Sequence, residues 1–190
     1  GQGATVYYYD FGTAIGAGSY VGNYQATAVG ASSRATGYAS SAFGHGADAS
    51  GDHSSAMGDS AYTRSGANFA VAIGYKSAAG SSNGGTQAFA LGSNSVASAN
   101  NSIAIGGAID LNADGMIESN EKTSATAGLS MALGDASQAA QTNATAIGAE
   151  ADATGVGATA VGSTSIASGT AAATLGYGAQ ATQSGSVAIG

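Results

Sequence analysis

A large apolar residue, flanked by alanine before it and glycine after it, returns along this chain at a nearly constant spacing of fourteen. Thr13-Ala14-Ile15-Gly16 is followed by Thr27-Ala28-Val29-Gly30, Ser41-Ala42-Phe43-Gly44 and Ser55-Ala56-Met57-Gly58, and further copies run to Gly190. The residue before the glycine is bulky in every copy: Ile15, Val29, Phe43, Met57, Ile73, Leu91, Ile105, Leu133, Ile147, Val161, Leu175 and Ile189. The position before it is alanine throughout, save for Thr174. Adjacent residues of a strand point to opposite faces. The motif therefore predicts a short strand with an alanine column on one face and a large apolar column on the other.

A second strand is predicted three to five residues after each glycine. Small residues recur there two apart, as in Ser33 and Ala35, Ala47 and Ala49, Ser77 and Ala79, Ser137 and Ala139, Ala151 and Ala153, Ser165 and Ala167, and Ala179 and Ala181. Between them stand Arg34, Asp48, Ala78, Gln138, Asp152, Ile166 and Gln180, which reads as small side in and variable side to solvent. Two strands and two turns suit a repeat of this length, and a fixed period marks a solenoid whose units bury their faces against their neighbours. The expected fold is all-β, a thin parallel β-roll of fourteen-residue repeats over residues 1–190, with the Ala and Ser columns inside. Glycines near the corners, such as Gly37, Gly51, Gly155 and Gly169, are expected to permit the turns.

The large apolar column then lies outside the roll. An uncovered stripe of this kind on a monomer is an aggregation hazard. Closed cyclic association is the economical cover, and three-fold symmetry lets a long stripe meet on one axis. The twelve bulky residues from Ile15 to Ile189 are thus the expected homotrimer interface. A wider monomeric solenoid with this stripe as its core is the alternative.

Composition narrows the classes. The chain has 190 residues, 32 Gly, no Cys, no Pro and a net charge of −7 with four Lys and Arg. It offers no disulfide framework and no basic stripe for nucleic acid or anionic lipid. No apolar run approaches a membrane span, so no direct membrane insertion is expected of this segment. It opens on Gly1-Gln2-Gly3 without a secretion signal and stops in mid-pattern, as a piece of something longer would. His45 and His53 are assigned to exposed turns, and no catalytic constellation or phosphate-binding loop is present, so an enzyme is not expected.

Ser186-Val187-Ala188-Ile189-Gly190 and Asn101-Ser102-Ile103-Ala104-Ile105-Gly106 resemble the recurring head motif of YadA-like trimeric autotransporter adhesins. The resemblance implies a left-handed roll, three parallel chains, and display outside a Gram-negative cell, anchored to the outer membrane through regions beyond this segment. It also implies adhesion, to an extracellular matrix protein, a cell surface or an abiotic surface. Thr or Ser stands at the first apolar position in several repeats, as at Thr13, Ser41 and Thr159. A structural or ice-binding solenoid, or a phage fibre segment, is the rival. An ice binder should show a regular outward Thr column, whereas the outward second-strand position holds Tyr20, Arg34, Asp48 and Tyr62.

The period breaks three times: Gly58 to Gly74 spans sixteen residues, Gly74 to Gly92 eighteen, and Gly106 to Gly134 twenty-eight. Insertions in repeats map to loops, expected here near 59–70, 80–87 and about 107–125. Tyr62, Arg64, Tyr75 and Lys76 surround the first two and form a candidate ligand patch. The third carries Asp110-Leu111-Asn112-Ala113-Asp114-Gly115-Met116-Ile117-Glu118-Ser119-Asn120-Glu121, which fits the twelve-residue D-x-N-x-D-G-x5-E calcium loop. Asp110, Asn112 and Asp114 would supply side-chain oxygens, Met116 its carbonyl, Glu118 a contact through water, and Glu121 two oxygens. The flanks do not read as long amphipathic helices, so a structural Ca2+ is expected rather than a sensor.

Overall fold

The computed structural model describes residues 2–7, 11–81 and 86–190, in two compact units, 1–93 and 94–190. Residues 82–85 of the expected 80–87 loop lie outside the described residues. Each unit is a parallel β-solenoid with two sheets. In the first unit one sheet holds β1 (Thr5–Val6), β3 (Tyr20–Val21), β5 (Arg34–Ala35), β7 (Asp48–Ala49), β9 (Tyr62–Thr63) and β11 (Ala78–Ala79). The other holds β2 (Thr13–Ile15), β4 (Thr27–Val29), β6 (Ser41–Phe43), β8 (Ser55–Met57), β10 (Val71–Ile73) and β12 (Phe89–Leu91).

The second unit repeats the plan. Its two-residue strands are β13 (Val96–Ala97), β15 (Ser124–Ala125), β17 (Gln138–Ala139), β19 (Asp152–Ala153), β21 (Ile166–Ala167) and β23 (Gln180–Ala181). Its three-residue strands are β14 (Ile103–Ile105), β16 (Met131–Leu133), β18 (Thr145–Ile147), β20 (Thr159–Val161), β22 (Ala173–Leu175) and β24 (Val187–Ile189).

Pairing joins each motif residue to its counterpart one repeat on, as in Thr13↔Thr27, Ala14↔Ala28 and Ile15↔Val29. The insertions leave this register intact, since Val71 pairs with Ser55 on one side and Phe89 on the other, and Ile103 pairs with Met131. A one-residue slip would exchange the alanine and apolar faces. The extra residues are therefore forced out into the turns.

The core is made of alanine. Ala28, Ala42, Ala56, Ala72 and Ala90 in the first unit, and Ala104, Ala132, Ala146 and Ala160 in the second, are fully buried. Facing them are the small pairs of the other sheet, including Ser33, Ala35, Ala47 and Ala49. Serine fits this column because its hydroxyl bonds the chain three residues back. Ser33 Oγ donates to Gly30 O at 2.9 Å, Ser77 to Gly74 at 3.0 Å and Ser165 to Gly162 at 2.8 Å. Such a serine is in effect an alanine that also satisfies a corner carbonyl, so no buried polar cost is incurred.

Two expectations need correction. The corner glycines Gly37, Gly51, Gly155 and Gly169 do not adopt positive φ; a side chain there would collide with backbone carbonyls of the next rung. The left-handed turn positions fall on other residues, among them Ala39 (φ 50°), His53 (φ 54°), Phe69 (φ 59°) and Ala171 (φ 53°). The motif glycines meet both demands. Gly58 has φ 134°, and a Cβ on it would sit 2.6 Å from Gly74 O. The second correction is Ala78, at an outward position yet buried, because its one-carbon side chain lies beside Tyr62, its registered partner.

Candidate functional site

The outward side of the three-residue strands carries the predicted apolar column. Ile15 is 56% exposed, Met57 44% and Leu175 54%, and Phe43, Leu91, Ile105 and Ile189 are likewise exposed. Val29, Ile73, Leu133, Ile147 and Val161 are partly covered, flanked by ladder partners such as Phe43 beside Val29 and Leu133 beside Ile147. The strands thus hide methyl groups and present the larger side chains. Ordinary globular packing does the reverse.

On the opposite sheet of the first unit, the outward positions hold Tyr20, Arg34, Asp48 and Tyr62, in direct register. Arg34 Nη1 lies 3.4 Å from Asp48 Oδ2, and Ser50 Oγ donates to the other Asp48 oxygen. The guanidinium of Arg64 stands over the Tyr62 ring at 5.3 Å from its centroid, and Nη2 donates to Tyr62 Oη at 3.3 Å. A cleft of about 370 Å³ opens here, lined by Asp48, Ser50, Tyr62, Thr63, Arg64 and Ser65.

The first insertion is narrower than expected. Tyr62 and Thr63 keep their normal strand places, and the extra residues form a turn at Ser65 and Gly66, closed by Ala67 N donating to Arg64 O at 2.9 Å. That turn supplies Ser65 to the cleft wall. Tyr75 and Lys76 are not part of this lining. They pair with each other instead, Lys76 Nζ standing 5.0 Å from the Tyr75 ring centroid. Hydrogen bonding to Tyr75 holds the Lys76 ammonium above its ordinary pKa. The four candidates thus form two pairs. His45 and His53 lie in exposed turns, His45 Nδ1 being 3.3 Å from Asp59 Oδ2 and His53 stacked on Phe69 with ring centroids 5.1 Å apart.

The third insertion closes at Thr123, two residues before its expected end, because Ser124 already pairs with Gln138 in the sheet. Its neck is tied by an Ala108–Lys122 antiparallel bridge, and Thr123 Oγ1 lies 2.8 Å from Gly107 O and 2.7 Å from Gly134 O. Inside the loop Asp110, Asn112 and Asp114 turn side-chain oxygens onto backbone amides. Asp110 accepts from Gly115 N at 2.8 Å and Asp114 N at 3.2 Å, Asn112 Oδ1 from Asp114 N at 3.1 Å, and Asp114 from Met116 N at 2.8 Å. Gly115 takes φ 81° at the sharp turn, with open space where a side chain would be.

Glu121 ends a single 3-10 turn, Ser119–Glu121, and is only 1% exposed. Its carboxylate accepts from Glu118 N at 3.0 Å, Leu111 N at 2.8 Å and Asn112 N at 3.3 Å. The Glu118 amide bond is the main reason its pKa falls below the ordinary 4.5; burial opposes the shift. Glu118 moves up from 4.5, chiefly through its side-chain hydrogen bond to Glu121, with burial and the charges of Asp114 and Glu121 adding to it. The donor set is all oxygen, as a hard cation requires. Among the described residues, however, no three His, Cys, Asp or Glu side chains converge ready to hold a metal. Met116 is exposed at the loop's rim and Ile117 is half-buried.

Leu111 and Asn120 of this loop reach over Ala136, Gln138, Glu150 and Asp152, enclosing a cleft of about 190 Å³. Asp152 Oδ1 is buried there without a hydrogen-bond partner, and burial raises its pKa above 3.8.

Asp48, Ser50, Thr63 and Ser65 were not singled out by the sequence reading. The signal that could have found Asp48 is the period itself. Residues fourteen apart are cross-strand partners, which sets Asp48 beside both Arg34 and Tyr62.

No curated protein matches the chain. Among the described residues no helix is long and apolar enough to cross a membrane. A family model, the YadA head domain repeat, matches residues 22–47, 35–61, 49–77, 84–108, 125–151, 153–172 and 175–190. The matches break off at 108 and resume at 125, so the acidic loop lies outside the shared repeat. Carrying that repeat over most of its length and folding each copy into the same two-strand rung, the chain belongs to the YadA head domain repeat family.

Proposed function

We propose that this chain is the head of a trimeric cell-surface adhesin, displayed outside the cell, where it attaches a bacterium to matrix proteins, cells or abiotic surfaces. The observation that carries the reading is the inverted strand, with alanine inside and Ile, Leu, Val, Phe and Met outside. Burying each such side chain contributes about 1.5–3 kcal/mol, and rungs repeating at ~4.8 Å place them where an identical ladder on another copy can meet them. Three parallel copies, each a left-handed roll, would close that face and leave the Tyr20–Arg34–Asp48–Tyr62 face to solvent.

Sedimentation of the intact chain tests this. The expected mass is about 53 kDa, three times the 17.8 kDa chain. Ile105→Asp together with Ile147→Asp should dissociate it, since six charges would then face the axis without partners. A folded monomer for the unaltered chain would overturn the trimer. Attachment is read from cells displaying the chain on matrix-coated and bare surfaces.

We further propose that the Asp110–Glu121 loop takes a structural Ca2+. Support comes from the twelve-residue spacing, the all-oxygen donors and the left-handed Gly115. Binding would require Glu121 to exchange the Leu111 and Asn112 amides for the cation. Asp110→Ala and Glu121→Ala should each weaken uptake, and chelation should loosen residues 107–123 before the rungs around them. No uptake by calorimetry at millimolar Ca2+ sinks the assignment.

A further inference from the structure

Recognition chemistry is concentrated on one face of the first unit. Its outward strand positions carry Tyr20, Arg34, Asp48 and Tyr62, whereas those of the second unit are Val96, Ser124, Gln138, Asp152, Ile166 and Gln180, without a cation or an aromatic ring. At the Asp48–Tyr62 end of that run lies the 370 Å³ cleft, at the small end of the roughly 300–1,000 Å³ typical of ligand sites.

The charges in and beside the cleft do not cancel. Asp48 is already satisfied, one oxygen by Arg34 and the other by the Ser50 hydroxyl. Arg64 has no carboxylate within ion-pairing distance among the described residues; its side chain engages the Tyr62 ring and hydroxyl. Counting Arg34 and Arg64 against Asp48 leaves one positive charge, in a chain whose net charge is −7. The remaining N–H groups of that guanidinium are free to fork onto a carboxylate, and stacking on Tyr62 holds the fork in place.

The strand backbone beside the cleft is already paired. Ser50 N donates to Thr63 O at 3.3 Å and Arg64 N to Ala79 O at 3.2 Å, so an extended peptide cannot add as a strand. Side-chain hydroxyls, a neutralised carboxylate and one ring edge remain, and these suit a polyol.

We propose that this cleft binds a carboxylate-bearing sugar unit. Arg64 takes the carboxylate, Ser50, Ser65 and Asp48 exchange hydrogen bonds with the sugar hydroxyls, and Tyr62 forms the apolar wall. The two-residue insertion at Ser65 and Gly66 builds the site, because the turn it forms, closed by Ala67 N on Arg64 O, places Ser65 in the cleft lining. The inference rests on the adhesive reading, for which it names a ligand class.

The test is ligand-observed NMR titration of the intact chain with methyl glucuronide, its neutral counterpart methyl glucoside, and N-acetylglutamate amide as a peptide-like carboxylate. The glucuronide should bind with a dissociation constant of roughly 1 mM, and the glucoside about tenfold more weakly or worse. Arg64→Ala should weaken the glucuronide about tenfold, Arg64→Lys less, and Lys76→Ala not at all. Unchanged circular dichroism would certify the fold of each variant. The proposal is overturned if the glucuronide fails to bind, if Arg64→Ala leaves its affinity unchanged, or if the glucoside or the glutamate derivative binds equally well. Cells that attach without glucuronide binding would remove this site and keep the adhesin. Glucuronide binding by a chain that confers no attachment would do the opposite.

Discussion

Thr174 is the one departure from alanine in the inward motif column, and it stands in β22 between Ala160 and Ala188. It is 3% exposed, and its hydroxyl finds no hydrogen-bond partner. A buried hydroxyl left unbonded costs about 1–3 kcal/mol. Replacing Thr174 by Val keeps the shape and removes only the hydroxyl, so the gain should be about 1–2 kcal/mol. Thr174→Ala also gives up a methyl worth roughly 0.8 kcal/mol of burial. Its net effect should be a gain of about 0–2 kcal/mol, with the thin alanine column restored. Urea denaturation gives the midpoint shift, and hydrogen exchange of the amides around Thr174 shows whether the gain is local, as nearest-neighbour coupling in a repeat array requires. If Thr174→Val lowers the urea midpoint, the hydroxyl is bonded in the native state and the reasoning fails.

Gly58→Ala should cost at least about 3 kcal/mol, because φ 134° and the 2.6 Å approach to Gly74 O leave no room to relax; a urea midpoint within error of the parent would contradict this. Ala171→Gly should instead stabilise, by about 0.5–1 kcal/mol, since φ 53° penalises a Cβ there; the check is a rise in melting temperature. Asp152 has its folded-state pKa raised by burial, so the folded chain holds that proton more tightly than the unfolded one. Its contribution to stability is therefore present below the ordinary carboxylate pKa and is lost as pH rises through the raised value. Asp152→Asn should flatten the acid limb of a stability–pH profile and raise stability at neutral pH, and an unchanged profile would show that the buried oxygen does not matter.

How much was legible depends on what the period reaches. Alternation at residues such as Ala28 and Val29 decides which side chain faces in, since adjacent strand residues must point apart. The fourteen-residue repeat then decides register, because each residue stacks on its own counterpart. Two sheets, an alanine core and an outer apolar ladder follow from those rules, and all three are present. The roles of Gly37 and Gly155 were misread because composition marks a corner without telling whether φ or the distance to the next rung demands glycine.

The candidate patch shows the boundary most clearly. Sequence proximity grouped Tyr62, Arg64, Tyr75 and Lys76, yet the cleft keeps the first two and completes itself with Asp48 and Ser50 from the preceding rung. Likewise the calcium-loop spelling placed oxygens at the right intervals, while folding turned Glu121 onto three backbone amides. The chain by itself determined face, register and the sites of insertion, since these depend on nearest neighbours along a strand and on a period that repeats. Tertiary structure alone decided which side chains share a cleft, which carboxylates are already satisfied and which hydroxyl is stranded. Those depend on distances across rungs and through turns, where a displacement of an ångström separates a hydrogen bond from an orphaned atom.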